Sequence, residues 1–299
     1  MTFYPEKYLE HLKEIGQGPD DLEDIAHSAM ILALLDRPGV SHQKYDHHLE
    51  ILALDIKNEA HTAHTAHTAQ TRAEALSSVL AQRHGYSGNE KFYDDLQNAN
   101  LMSVIDQRMG LPVSLGILYI HTARSMGWKI EGLNFPTHFL IRLFGADHKG
   151  GDQVIMDPFH GGKILTARDL REMIQKMSGP AATLKQNHYA ALSDRAILVR
   201  LLNNIKIRCL KVSDISHAIN ILFRLTLIDP DKVEHKYELG MLQAHAGRLE
   251  EGRETLQNCL MLIDQVAENE LMKQQITNTL EDMKDGASNI LSFQDQDEE

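Results

Sequence analysis

The sequence predicts an α+β fold, in which a helical N-terminal half leads into a small antiparallel sheet and an all-α region follows. Two changes of hydrophobic period predict this class. Apolar residues are helically spaced over about 1–127, alternate in the manner of strands within about 129–160, and return to helical spacing from about residue 195. We therefore expect one domain over 1–190 and a helical region over 195–285, followed by an acidic tail over 286–299 that is too charged to fold.

Two helical stretches stand out in the first domain. Residues 19–36 place acidic side chains in the first turn and apolar ones after it, and a Pro-Gly pair then ends the helix. Helical patterning continues from Tyr45 to Leu80. A further helix is predicted over 112–126, because Pro112 suits a first turn and Gly127 suits the position just past a helix end. Its residues are apolar nearly all round, which predicts the buried centre of the domain.

The sheet is predicted from two stretches with a two-residue period, 138–144 and 153–157. The loop between them, 145–151, is rich in turn formers and indicates an antiparallel hairpin. If the turn is centred so that the numbers of opposed residues sum to 295, His138 lies opposite Asp157. Opposed residues share one face of a sheet, with Cβ atoms about 5 Å apart. A slip of one residue would separate them.

Three residues form a candidate catalytic triad. Ser114 falls in the first turn of the buried helix, where the helix dipole and free backbone N–H groups favour a nucleophile. His138 beside Asp157 could orient an imidazole toward that nucleophile. Structural roles explain the same residues: a helix cap for the serine, a satisfied hydrogen bond for the His–Asp pair, and a turn opened by Asp-Pro. His121 is set aside as the base, because seven helical residues place it about 10 Å from Ser114.

The C-terminal region repeats itself with a 34-residue period. Ala218, Leu222 and Pro230 occupy the same phase as Gly252, Leu256 and Asp264. With the small residues around Gly240, this pattern is typical of tetratricopeptide units. Such repeats present a concave surface to peptides, and the acidity of the chain favours a partner segment with basic residues. We expect a protein or peptide partner to bind through these repeats.

Composition narrows the choice of partners and compartment. The chain has 30 Lys and Arg against 42 Asp and Glu, a formal net charge of −12. Its field repels phosphate backbones and anionic membranes, so neither nucleic acid nor a membrane is an expected partner. The first residues lack the order of a secretory signal, and Cys209 and Cys259 lie in helix-like segments. A cytoplasmic location is predicted.

A histidine-rich tract raises the question of metal binding. His61, His64 and His67 recur at a three-residue step. On a helix this step rotates each histidine by about 60°, so the three cannot converge on one ion without distortion. We interpret the tract as a local duplication in an exposed helix and predict no metal and no cofactor.

Several motifs, in the same order along the chain, resemble the SirB-type family of bacterial proteins, which join a transglutaminase-like domain to tetratricopeptide repeats. The motifs are YSGN at 86–89, NANLMSVIDQRMG at 98–110, LPVSLG at 111–116, NFPTHFLIR at 134–142, IMDPFHGG at 155–162 and LNN at 202–204. The resemblance implies a papain-like or transglutaminase-like core. In such enzymes the triad is Cys, His and Asp, and the residues at those places here are Ser114, His138 and Asp157.

The serine at the cysteine position leaves two functions open. A thiol can be held as a thiolate by a neighbouring imidazolium, whereas a hydroxyl must lose its proton during attack and needs tighter geometry with its base. The preferred hypothesis is a degenerate, non-catalytic transglutaminase-like protein that acts as an interaction or regulatory module. The alternative is a hydrolase or acyl transferase that uses a Ser114-His138-Asp157 triad.

Overall fold

The chain forms two compact units in the computed structural model. The first contains Gly18–Asn204 and the start of the first helix. The second contains the rest of that helix, Leu12–Gln17, and the described residues from Ile205 onward. The acidic tail predicted over 286–299 lies outside the described residues. None of the described helices is long and apolar enough to cross a membrane. The residues that the structure describes are 6–63, 67–136, 138–146, 151–266 and 270–284.

Eight of the helices that the structure describes contribute residues to the first unit, and π-helical and 3₁₀ turns connect some of them. The π-helical turn is Ser78–Arg83, and the 3₁₀ turns are Leu96–Ala99, Pro158–His160 and Gln186–Tyr189. The helices are α1 Glu6–Gln17, α2 Ile25–Asp36, α3 Gln43–Ala63, α4 Ala69–Ser77, α5 Leu101–Gln107, α6 Pro112–Arg124, α7 Ala167–Ser178 and α8 Asp194–Lys211.

Two of the predicted helices differ from the observed ones. The helix predicted over 19–36 begins only at Ile25, because the Asp24 side chain accepts hydrogen bonds from the N–H groups of Ala26 and His27 and so acts as its N-cap. The helical stretch from Tyr45 to Leu80 is divided between α3 and α4. His67 lies in a turn after α3 has ended, so the prediction of one exposed helix through the histidine tract was wrong; His64 is outside the described residues.

The predicted antiparallel sheet is present. The described strands are β1 Ser87–Gly88, β2 Met109–Gly110, β3 Ile130–Leu133, β4 Leu140–Phe144, β5 Gln153–Asp157, β6 Lys163–Leu165 and β7 Ala191–Leu192. Five of them form this sheet, in the order β6-β5-β4-β3-β7. A separate parallel pair joins β1 to β2. The two outermost strands of the large sheet, β6 and β7, lie beyond the region predicted for it.

The hairpin register differs from the predicted one by two residues. Phe144 pairs with Gln153, so paired numbers sum to 297 and not 295, and β4 begins two residues later than expected. The Gly145 N–H donates to the Asp152 carbonyl at 3.0 Å, and the Asp152 carboxylate accepts the N–H of Ala69 at the start of α4. This tertiary contact fixes the register. Because the shift is even, it leaves Asp157 on the predicted face.

Helix α6 is buried along nearly its whole length, as predicted, and it packs against β3, β4 and the turn Pro158–His160. Gly116 of α6 lies directly against Phe139, the residue before β4, and a Cβ atom at Gly116 would overlap the ring of Phe139. Only glycine allows this contact. The start of α6 is thereby brought against the residue that follows His138.

The second unit is all-helical, as predicted from the returning helical period. Successive helices pack on one another, and Gly240 allows close approach, since a Cβ there would lie 2.7 Å from Leu256 Cγ. Besides the end of α8, its helices are α9 Ile215–Ile228, α10 Val233–His245, α11 Leu249–Val266 and α12 Glu270–Lys284.

Candidate functional site

His138 and Asp157 are joined by a hydrogen bond. The imidazole Nε2 lies 2.9 Å from Asp157 Oδ1, and both side chains are largely buried. His138 precedes β4 and Asp157 ends β5, so the two neighbouring strands bring them together. The predicted contact between them is therefore confirmed. With Nε2 engaged by the carboxylate, Nδ1 is the nitrogen through which His138 could serve a third group.

The Asp157 carboxylate is the centre of a larger cluster. It accepts hydrogen bonds from the backbone N–H groups of Phe159 at 3.0 Å and His160 at 3.4 Å, and the His160 Nδ1 lies 2.6 Å from Oδ2. Burial by itself would raise the pKa of Asp157, but hydrogen bonds and charge from His138 and His160 outweigh it and lower that pKa. Asp157 is therefore ionised at neutral pH.

Sequence reasoning missed His160. Its ring stacks on that of His138 with centroids 6.0 Å apart, half of its side chain is exposed, and its Nε2 lies 3.6 Å from Glu90 Oε1. The sequence contained a signal for it. The Asp-Pro pair indicates a turn, and a histidine three residues after Asp157 falls within that turn, which Asp157 caps. A carboxylate has two oxygens and can hold a second imidazole.

Arg200 was also missed, and it fixes the backbone around His138. Its guanidinium donates to the carbonyls of Phe135 at 2.9 Å and His138 at 2.6 Å, and it lies over the Phe139 ring. Burial lowers the pKa of Arg200. These contacts hold both ends of the short segment that carries His138.

Ser114 lies in the first turn of α6, as predicted, but it does not cap the helix. Leu111 occupies the N-cap position, and no side-chain cap bond is formed there. The Ser114 side chain is buried with 1% exposed, and its Oγ makes no hydrogen bond with any residue that the structure describes. The structural role proposed for it as a cap is therefore wrong. No hydrogen bond joins it to His138.

The start of α6 has two backbone N–H groups without a partner in the helix. The Leu111 N–H is used by the Asn98 carbonyl, Pro112 has no N–H, and the Leu115 N–H donates to Leu111. The N–H groups of Val113 and Ser114 therefore have no partner within the helix.

Tyr119 lies on the same helix, near the acidic centre of the cluster. Its hydroxyl is buried and makes no hydrogen bond with any described residue. Burial, and then the negative charge of Asp157, raise its pKa. A Cβ at Gly162 would lie 2.8 Å from this hydroxyl, so the glycine with φ +77 lets the loop after His160 pass beside the ring. Tyr119 therefore stays neutral and cannot replace His138 as a base.

His121 and the histidine tract are the other histidines that the sequence singled out. His121 Nδ1 lies 3.1 Å from Asp24 Oδ1, which agrees with its interpretation as a polar spot on the central helix. In the tract, His61 and His67 are exposed. Among the described residues, the cluster whose atoms could hold a metal ion is instead that of His138, Asp157 and His160.

Comparisons with known proteins match this chain to one family model and to several bacterial relatives. The family model described as the transglutaminase-like superfamily matches residues 43–203, more than half of the chain. A UPF0162 protein of Xylella fastidiosa is 28% identical over 81% of this chain and 85% of its own length, and one of Vibrio cholerae is 28% identical over 63% and 70%. F-box only protein 21 of Mus musculus is 29% identical over 44% of this chain and 21% of its own length. No solved structure matches.

Proposed function

Since the chain belongs to the transglutaminase-like superfamily, we propose that it is a non-catalytic member that works as a protein-interaction or regulatory module. The observation that carries this proposal is the state of Ser114. A serine nucleophile must pass its proton to a base within hydrogen-bond reach. The Ser114 hydroxyl is buried, and it makes no hydrogen bond with His138 or with any other described residue.

Asp157, the partner of His138, also has a structural role. Asp157 caps the turn that follows it and holds His160 as well as His138. These contacts give the His–Asp pair a structural reason to persist in a protein that does no chemistry.

Two features support an interaction role. The chain is acidic, and its second unit is made of successively packed helices that we assign to tetratricopeptide-like repeats. The mouse relative is matched over only 21% of its length, so the same region is also used as one part of a longer protein. We propose that a basic protein or peptide segment binds to the helical unit.

Enzyme assays test the first half of the proposal. Purified wild-type protein is incubated with a panel of ester and amide substrates, beside Ser114→Ala. We expect the two proteins to give the same background rate. Turnover by the wild type that Ser114→Ala abolishes would contradict the proposal.

Affinity capture from the native cell tests the second half. Met261 and Leu271 are exposed on the helical unit, at 57% and 71%, so Met261→Lys and Leu271→Lys should leave the fold intact. A partner that binds this unit is captured by wild type and by Ser114→Ala, and weakly by the double lysine variant. Equal capture by the double variant would place the partner elsewhere.

The second candidate is a hydrolase or acyl transferase that uses Ser114, His138 and Asp157. The observation that favours it is the bond between His138 and the ionised Asp157, which leaves Nδ1 to face a nucleophile. The unpartnered N–H groups of Val113 and Ser114 could then bind an oxyanion. The substrate panel distinguishes the two candidates.

A further inference from the structure

We propose that His138, Asp157 and His160 form a binding site for one divalent transition-metal ion with the preferences of zinc. Each residue offers one ligand atom, and these atoms all lie within 4.8 Å of one another. Two imidazole nitrogens and one carboxylate oxygen are common zinc ligands, and a site with three protein ligands keeps further positions open. The proposal does not depend on whether Ser114 is inert.

Each imidazole already lies against the carboxylate, and the three ligand atoms must draw together from spacings of up to 4.8 Å to form an occupied site. With bonds of about 2.0–2.2 Å in tetrahedral geometry, ligand atoms around zinc are roughly 3.3 Å apart. The His138 Nε2 lies 2.9 Å from one oxygen of Asp157, and the His160 Nδ1 lies 2.6 Å from the other. A movement that brings both nitrogens toward one oxygen of Asp157, each about 3.3 Å from the other ligand atoms, would complete the site.

His160 is the residue that can move. Half of its side chain is exposed, and Gly161 and Gly162 follow it with φ values of +67 and +77. The exposed side of this ring also gives an ion a way in. His138 and Asp157 are held more firmly, since Arg200 binds the His138 carbonyl and the N–H of Phe159 binds the carboxylate.

The surroundings supply the outer contact that a metal-bound histidine ordinarily has, which is a carboxylate or carbonyl that accepts the proton of its other nitrogen. The Glu90 Oε1 lies 3.6 Å from the His160 Nε2. Metal binding puts the lone pair of His160 Nδ1 on the ion and its proton on Nε2, facing Glu90. A His138 ring bound through Nε2 would likewise carry its proton on Nδ1.

Titration of the full chain with Zn²⁺ and Co²⁺ tests the site. Calorimetry follows Zn²⁺, and the visible absorption of Co²⁺ reports an ion bound by protein ligands. The test variant is His160→Gln, because a half-exposed glutamine can still donate to Asp157 and the fold should be kept. The matched control replaces His61, His64 and His67 together with glutamine and leaves the cluster intact.

We expect one Zn²⁺ per chain in wild type and in the control, and at least tenfold weaker binding with loss of the Co²⁺ absorption in His160→Gln. The proposal is overturned if wild type binds no Zn²⁺ at micromolar concentration, if His160→Gln binds as tightly as wild type, or if the control loses the site. A thermal melt in the presence of chelator shows whether His160→Gln is folded. If it is not, His160→Asn with the same readouts takes its place.

Discussion

Replacement of Ser114 by alanine should make the protein more stable. The Ser114 side chain is 1% exposed, and its hydroxyl has no hydrogen-bond partner among the described residues. Burying a hydroxyl without a hydrogen bond costs about 1–3 kcal/mol in proteins. Removing one oxygen atom leaves little empty volume, so most of that cost should be recovered. We expect Ser114→Ala to raise the free energy of unfolding by about 1 kcal/mol.

Ser28 provides the matched control. It is a second buried serine in the same unit, 2% exposed, but its Oγ lies 3.1 Å from His11 Nε2 and 3.5 Å from the Asp24 carbonyl. Loss of a hydroxyl that is hydrogen-bonded costs about 0.5–1.5 kcal/mol. Ser28→Ala should therefore lower the free energy of unfolding. The two substitutions remove the same atom and are expected to have opposite signs.

Urea unfolding followed by tryptophan fluorescence gives both values. Trp128 is the chain's single tryptophan and is buried in the first unit, so the signal reports the unfolding of that unit and not of the second, helical unit. If the free energy of unfolding falls with urea concentration at the same slope in wild type and variants, the variants differ in stability and not in the surface exposed on unfolding. A loss of more than about 1 kcal/mol in Ser114→Ala would show that the hydroxyl is bonded in solution. That result would remove the argument that Ser114 and His138 do not interact.

Three further results are expected. Gly116→Ala should lower the free energy of unfolding by about 1–3 kcal/mol, because its Cβ would overlap the buried Phe139 ring; an unchanged urea midpoint would contradict this packing. Asp194→Asn should cost about 3 kcal/mol in the same assay, because it leaves Arg124 without the carboxylate that it binds at 2.6 and 2.9 Å. Burial, and then neighbouring positive charge, lower the pKa of His48 from 6.5 to about 4. As pH falls, His48 therefore binds a proton in the unfolded chain at a higher pH than in the folded chain, and stability is lost between pH 6.5 and 4. His48→Gln should make the free energy of unfolding less dependent on pH in that range, by about 2 kcal/mol at most between pH 7 and 5.

Local patterns in the sequence were sufficient for the elements that carry the site. The buried helix α6 was predicted from its all-round apolar residues, with Pro112 at its start, and the β4–β5 hairpin from alternation across a loop of turn formers. The contact of His138 with Asp157 followed from the hairpin even though the register was wrong, because a shift of two residues keeps both on the same face.

Features fixed by distant contacts could not be read from the sequence. The register depends on the bond between Asp152 and Ala69, which are far apart in the chain. Strands β6 and β7 have only three and two residues, too few to show a period. Ser114 does not cap α6 because Leu111 takes the N-cap position. The backbone at His138 is fixed by a hydrogen bond from Arg200, which lies in α8, after the sheet strands β3–β6 in the chain.

The most direct test of the proposal that the site is non-catalytic is labelling of the purified wild-type chain with a fluorophosphonate probe, followed by mass spectrometry of the peptide that contains Ser114. Such probes react with serines that a base activates. We predict no adduct at Ser114, because its buried hydroxyl makes no hydrogen bond with His138. A stoichiometric adduct at Ser114 that is lost in His138→Ala would contradict this prediction and establish a working serine and histidine pair.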